Sequence, residues 1–303
     1  MLQINGLKKN YKKFPVLTGL NMNVTGGDVY ALLGKNGCGK TTTMNIICNI
    51  IAKDEGEIHY EAENIKIGYL PESPSLFSYM NGYEYLNYIG ACCRYEGDIT
   101  SRTAEVLDIT KMTQSAARLI KGYSRGMNQR LGIAAALYGN PNLLILDEPT
   151  SALDPEGRAE VMTIISDLAA RGSTIILCTH ILSDVERVAN KIGVLKDGVM
   201  AVEGSVLDVR KRFLQDCVLG VRLKDYSVEA VKILCGINLI AKSEVRDPEG
   251  VILYAKAGVS EKALYTAVVT TLAAYDTLPE AIDFKRLSLE QVYLGITGGF
   301  LTP

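Results

Sequence analysis

The stretch "GKNGCGKT", residues 34 to 41, limits what this chain can fold into more than any other. It fits G-x-x-x-x-G-K-[ST] in full, a pattern that works only as a loop between a strand and a helix. The apolar run "VYALL" stands before it and "TTTMNIICNII" follows as an expected helix, so the required order is present. Glycines at 34, 37 and 39 let such a loop wrap phosphate oxygens with its N–H groups turned inward, while Lys40 neutralises charge and the Thr41 hydroxyl can ligate Mg²⁺. Asn36, Gly37, Cys38, Gly39, Lys40, Thr41 and Thr42 are therefore the expected cofactor-binding set.

A loop of this kind predicts an α/β sheet, and the rest of the chain supplies one. Residues 2 to 33 read as short strands and a hairpin broken at Gly26, Gly27 and Asp28. Residues 73 to 122 turn helical and aromatic, with Tyr79, Tyr83, Tyr85 and Tyr88 close together. From 123 to 196 the pattern is a helix, the run "LLILDEP", a helix at 156 to 171 and the run "TIILCTH". Continuous apolar runs suit a parallel sheet covered on both faces. Beyond about residue 205 the pieces read strand, helix, strand, turn "DPEG", strand, helix, strand and a last short helix, the order of a ferredoxin-like split unit. In its second helix Leu264, Val268, Leu272 and Tyr275 are expected to face the core.

Composition excludes several classes. Lys plus Arg number 32 against 34 Asp plus Glu, and the densest basic stretch is the short "LKKNYKK", so no basic face for nucleic acid is expected. Seven scattered cysteines form no CxxC pair, which argues against a zinc site or a disulfide frame and for a reducing compartment. "MLQINGLKKNY" has no apolar segment of the signal-peptide kind, and no apolar run approaches the roughly 18 to 20 residues of a membrane helix.

Three further places carry chemistry. "LLILDEP" sets Asp147 and Glu148 at the end of a hydrophobic strand, where one carboxylate can hold a metal and its neighbour can deprotonate water; burying both without a cation is costly. His180, in "LCTHILSD", follows a strand whose C-terminal end is where open α/β sheets bind ligands. "YSRGMNQR", residues 123 to 130, opens a helix with Ser124 and Gly126, a second anion site whose purpose is not evident from the residues alone.

Taken in order, "GKNGCGKT", "GYLPE" at 68 to 72, "YSRGMNQR", "LLILDEP", "SALD" at 151 to 154 and "TH" at 179 to 180 resemble the nucleotide-binding subunit of an ABC transporter, most of all the ATPases of ABC-2 type exporters. The resemblance covers residues 1 to about 205. It implies a RecA-like P-loop ATPase domain over 1–205 with a β-hairpin region and a helical subdomain at about 73–135, followed by a small α+β accessory domain at 206–303. It implies ATP and Mg²⁺ as cofactors, Tyr11 stacked on adenine, Thr41, Glu72 and Asp147 at the metal, Glu148 as general base and His180 at the γ-phosphate. Catalysis would rest on Glu148, His180 and Glu72. Ser124 and Gly126 would bind the γ-phosphate held by a second subunit, with Ser151 to Asp154 along the seam of a homodimer or pseudo-dimer. The engine would power a separate transmembrane permease from the cytoplasmic face of the membrane.

Glu72 stands where the family usually has Gln, adding a charge and losing a donor. The signature departs from Leu-Ser-Gly-Gly-Gln at Tyr123, Arg125 and Met127, and two roles are open to Arg125: contact with the anion or exposure to solvent. The tyrosines at 79 to 88 fit either contact with a membrane partner or an aromatic-rich packed helix. An ABC ATPase of DNA repair or of the ribosome is the alternative. A GTPase would need Asn-Lys-x-Asp, and "NKIG" at 190 to 193 lacks the Asp.

Overall fold

The computed structural model describes residues 1–213, 217–224, 227–246, 250–256, 258–284 and 289–298. They divide into two compact units, 1–209 and 210–303.

The first unit opens with β1 (Leu2–Tyr11) and β2 (Phe14–Val24), antiparallel across a turn where Lys12 takes φ 56°. Next come β3 (Val29–Leu33), α1 (Lys40–Ile47), β4 (Glu55–Tyr60) and β5 (Ile67–Leu70). The helical region holds α2 (Gly82–Cys92), α3 (Ile99–Ile109) and α4 (Arg125–Leu137). It is followed by β6 (Leu143–Asp147), α5 (Pro155–Ala170), β7 (Thr174–Cys178), α6 (Leu182–Val188), β8 (Lys191–Lys196) and β9 (Val199–Ser205). A helix absent from the expected elements, α7 (Val206–Phe213), comes next, and the division between the units falls inside it. Its first turn stays with the first unit because Val206 N–H donates to the Asn190 carbonyl at 3.0 Å.

Two sheets build this unit. β2, β1 and β4 form an antiparallel layer, and the larger sheet runs β5-β6-β7-β3-β8-β9, parallel except for β9. Alternation along β6 explains its unbroken apolar run. Leu143 and Ile145 pack with Leu2, Leu20, Met44 and Ile47, whereas Leu144 and Leu146 pack with Leu131, Ile165, Leu86 and Val106 of the helical side. Both faces are covered, so both sets must be apolar. α1 is shorter than the run "TTTMNIICNII": it stops at Ile47 because Asn49 turns left-handed and the Ile50 N–H reaches back to Asn45 O at 2.8 Å. Among the described residues no helix is long and apolar enough to cross a membrane.

The second unit runs β10 (Val218–Leu223), α8 (Val228–Cys235), β11 (Ile240–Arg246), β12 (Gly250–Ala255), α9 (Glu261–Ala274), β13 (Pro279–Phe284) and α10 (Leu289–Gly298). Its sheet order, β11-β12-β10-β13 with antiparallel neighbours, is that of a ferredoxin-like unit. Leu219, Val221 and Leu253 form its core with Leu234, Leu264 and Val268. Tyr275, expected in that core, is 61% exposed: α9 ends at Ala274, so the next residue leaves the helical stripe. Within the expected turn "DPEG", Asp247, Pro248 and Glu249 lie outside the described residues, as do Lys285, Arg286 and Leu287 at the end of the last expected strand.

Candidate functional site

Parallel pairing gathers the chemistry at one edge. Leu32 and Asp147 are both in register with Cys178 of β7, so the loop after β3, the acids at the end of β6 and the segment after β7 leave the sheet at one level. This is the carboxyl edge, where open α/β sheets bind ligands.

A cavity of about 410 Å³ opens there. Asn36, Gly37, Gly39, Lys40, Thr41, Thr42, Glu72, Asp147, Glu148 and His180 line it, so most of the expected cofactor and catalytic residues meet. Tyr11, Cys38, Ser124 and Gly126 do not line it. Val16 and Ser151 do; Val16 was not foreseen, since a valine in a strand carries no chemical signal of its own.

The loop is held by its own geometry. Gly39 caps α1 with φ 110°, and a Cβ there would come within 2.7 Å of Leu17 Cδ2, so only glycine fits. Lys40 is buried, and its ammonium donates to the carbonyls of Gly34 at 2.8 Å and Lys35 at 3.3 Å, closing the loop on its own start. Lys40 also lines the cavity. Burial pushes the Cys38 thiol up, with Lys40 opposing.

Asp147 is 1% exposed, and neither carboxylate oxygen has a hydrogen-bond partner. Burial, with Glu148 and Glu72 nearby, raises its pKa, while Thr41 and Lys40 pull the other way. A buried carboxylate with free lone pairs beside a hydroxyl fits a hard divalent cation. Mg²⁺ is such a cation, usually held by one or two carboxylates with the rest from water and phosphate. Asp147→Asn is accordingly expected to stabilise the nucleotide-free chain, because it removes a charge that burial and the neighbouring Glu148 and Glu72 disfavour. Thermal unfolding without nucleotide measures it, and the same variant should lose the metal-dependent part of ATP affinity.

Glu148 follows directly. Its backbone is left-handed, φ 49°, and its N–H donates to Cys178 O at 2.8 Å. The carboxylate is 9% exposed and sits 2.9 and 3.0 Å from His180 Nδ1, whereas the imidazole is 52% exposed. Since a carboxylate only accepts, Nδ1 is the donor in this pairing and Nε2 points elsewhere in the ring's plane, free of Glu148. This pairing joins two residues 32 positions apart. Glu72, past the end of β5, is exposed on the cavity wall.

Ser124 is the N-cap of α4, its Oγ accepting from Met127 N–H at 3.2 Å, and Tyr123 is anchored behind it by donating to Ser115 O at 2.9 Å. Ser124 and Arg125 are exposed. Tyr11 ends β1, half exposed, with the Lys9 ammonium 5.8 Å from its ring centroid.

The family model described as "ABC transporter" matches residues 17–151. Over 209 residues the chain is 39% identical to the lantibiotic transport ATP-binding protein SrtF of Streptococcus pyogenes, covering 67% of this chain and 90% of that one. The chain belongs to the ABC transporter family.

As an ABC cassette its activity is ATP binding and hydrolysis. It is also 30% identical to the linearmycin resistance ATP-binding protein LnrL of Bacillus subtilis, with 98% of each chain covered, and 33% identical to the bacitracin transport ATP-binding protein BcrA of Enterococcus faecalis, covering 70% and 71%. Among solved structures, the cassette MJ0796 in a dimeric post-hydrolysis state bound to ADP and Pi aligns with a TM-score of 0.61 at 25% identity, covering 68% of this chain and 99% of that one. An ATP-binding subunit of an ABC transporter aligns with a TM-score of 0.63 at 26% identity, covering 70% and 93%.

Proposed function

We propose that this cassette drives export of peptide- or drug-like compounds through a separate membrane permease, as one half of a head-to-tail dimer closed by ATP. One observation carries the two-subunit part. Lys40, Thr41, Asp147, Glu148 and His180 share one cavity, while Ser124 and Gly126, the second anion site, lie outside it. A second copy is then needed to bring a helix start to the same phosphate. The relatives named above bear transport or resistance in their names, which favours an exporter over an ATPase of DNA repair or the ribosome.

In this reading Lys40 and the loop N–H groups hold the β- and γ-phosphates, and Tyr11 stacks on adenine. Thr41, Asp147 and Glu72 would hold Mg²⁺, which when bound supplies charge neutralisation on the phosphate oxygens. Glu148 takes the proton of the attacking water, and His180 keeps its carboxylate oriented and offers the ring's other nitrogen to the γ-phosphate side.

Permease docking is assigned to the aromatic patch ahead of and along α2. Phe77 stacks on Tyr79 at 5.7 Å and meets Tyr88 edge-on at 5.3 Å, and Tyr79 and Tyr88 are 70% and 44% exposed. Tyr85 is buried core, and α2 is fixed by a capping box between Asn81 and Glu84. Exposed aromatic rings with a polar edge suit a protein interface. Detergent-solubilised membranes from cells expressing a tagged chain should yield it with an integral membrane protein, and Tyr79→Asp with Tyr88→Asp should release it. Recovery with ribosomes or DNA instead overturns the reading.

A further inference from the structure

The pair Glu148 and His180 is carried on two loops, and a buried carboxylate outside the cavity ties those loops together. Glu148 has φ 49° and Ala152 has φ 55°, left-handed backbone that residues other than glycine adopt only at a cost. Such a conformation persists where its surroundings over-determine it. Glu148 N–H is held by Cys178 O, and Ser151 N–H turns back to Glu148 O at 3.1 Å. Midway between the two left-handed residues, Thr150 Oγ1 donates to Asp184 Oδ2 at 2.6 Å. Both residues are buried, at 2% and 4% exposure.

Asp184 lies four positions beyond His180, in the first turn of α6. Its other oxygen accepts from Arg158 Nε at 2.9 Å and Nη2 at 2.7 Å, and Arg158 belongs to α5, which begins where the strained strap ends. A buried carboxylate needs such partners, and here both come from the strap side. Asp184 is not part of the cavity wall.

We infer that Asp184, through Thr150 and Arg158, is a positioning residue that holds the strap carrying Glu148 and the segment carrying His180 in fixed relation, so that the two side chains meet in the orientation hydrolysis needs. The inference rests on the roles proposed above for Glu148 and His180. It extends the working machinery to a network outside the cavity lining.

Thr150→Val removes one donor and keeps the volume, and it is expected to lower kcat for ATP between about ten- and a hundredfold, the scale of a misplaced catalytic group, with KM changed less than about twofold. Thr150→Ser, which keeps the hydroxyl, should restore turnover, and Ser183→Ala, which removes only an outer contact of Arg158, should leave it unchanged. In a Glu148→Gln background Thr150→Val should alter residual turnover less than about twofold, because residues acting as one unit are not additive. Wild-type turnover in Thr150→Val overturns the inference, as does the same fold loss in both backgrounds, or a matching loss of ATP affinity. Should Thr150→Val fail to fold, Asp184→Asn carries the same measurements. Undiminished turnover in Glu148→Gln marks failure of the underlying base assignment, whereas an inactive Glu148→Gln beside a fully active Thr150→Val marks failure of this inference alone.

Discussion

Glu148→Gln is expected to cut steady-state ATP turnover at least about a hundredfold, the lower part of what a general base contributes and about 2.7 kcal/mol of barrier. Gln keeps the size of the side chain and an oxygen that can still accept from His180 Nδ1, but it cannot take a proton from water. The left-handed backbone at this position is equally strained with either side chain. Lys40 and Asp147 are untouched, so ATP binding should persist, and the ATP-closed dimer should accumulate because its release step is blocked. Phosphate release and equilibrium nucleotide binding on the same preparation check both halves. Unchanged turnover sinks the assignment, and Glu72, the other acid on the cavity wall, becomes the residue to test.

Ser124→Arg is expected to abolish ATP-driven dimerisation and hydrolysis while each monomer still binds nucleotide through Lys40. The exposed start of α4 is where a second copy's phosphate would approach, and a bulky cation there closes it. The substitution also removes the cap on Met127 N–H, a loss of about 1 kcal/mol of stability. Ser124→Ala serves as the control, since it loses the cap and leaves the approach open. Mixing Ser124→Arg with Lys40→Ala chains sharpens the test. In that heterodimer the intact loop of the first faces the intact signature of the second, so one composite site is whole and the other is broken twice. Nucleotide-dependent pairing or partial turnover should return in the mixture. Crosslinks between the Lys40 region of one chain and the Ser124 region of the other are expected, and crosslinks confined to single chains refute the shared site.

Much of this protein was determined locally. The glycines of the phosphate loop, the helix cap at Ser124 and the apolar runs of β3, β6 and β7 follow from residues a few positions apart, because turn geometry, capping and strand burial are short-range physics. The ferredoxin-like order of the second unit was legible for the same reason, from alternating strands and helices, although Tyr275 was misplaced because the end of a helix is set by its cap rather than by its stripe. What the tertiary structure alone decided is which strands are neighbours. β7 inserts between β3 and β6, and that order, which no spacing along the chain reveals, puts Asp147 level with Cys178 and His180 against Glu148. The same long-range packing leaves Asp147 without a partner, brings Val16 to the cavity wall and seats Thr150 on Asp184. Such contacts between segments far apart in sequence exist only once the sheet has assembled, so their residues carry no mark of them in the sequence.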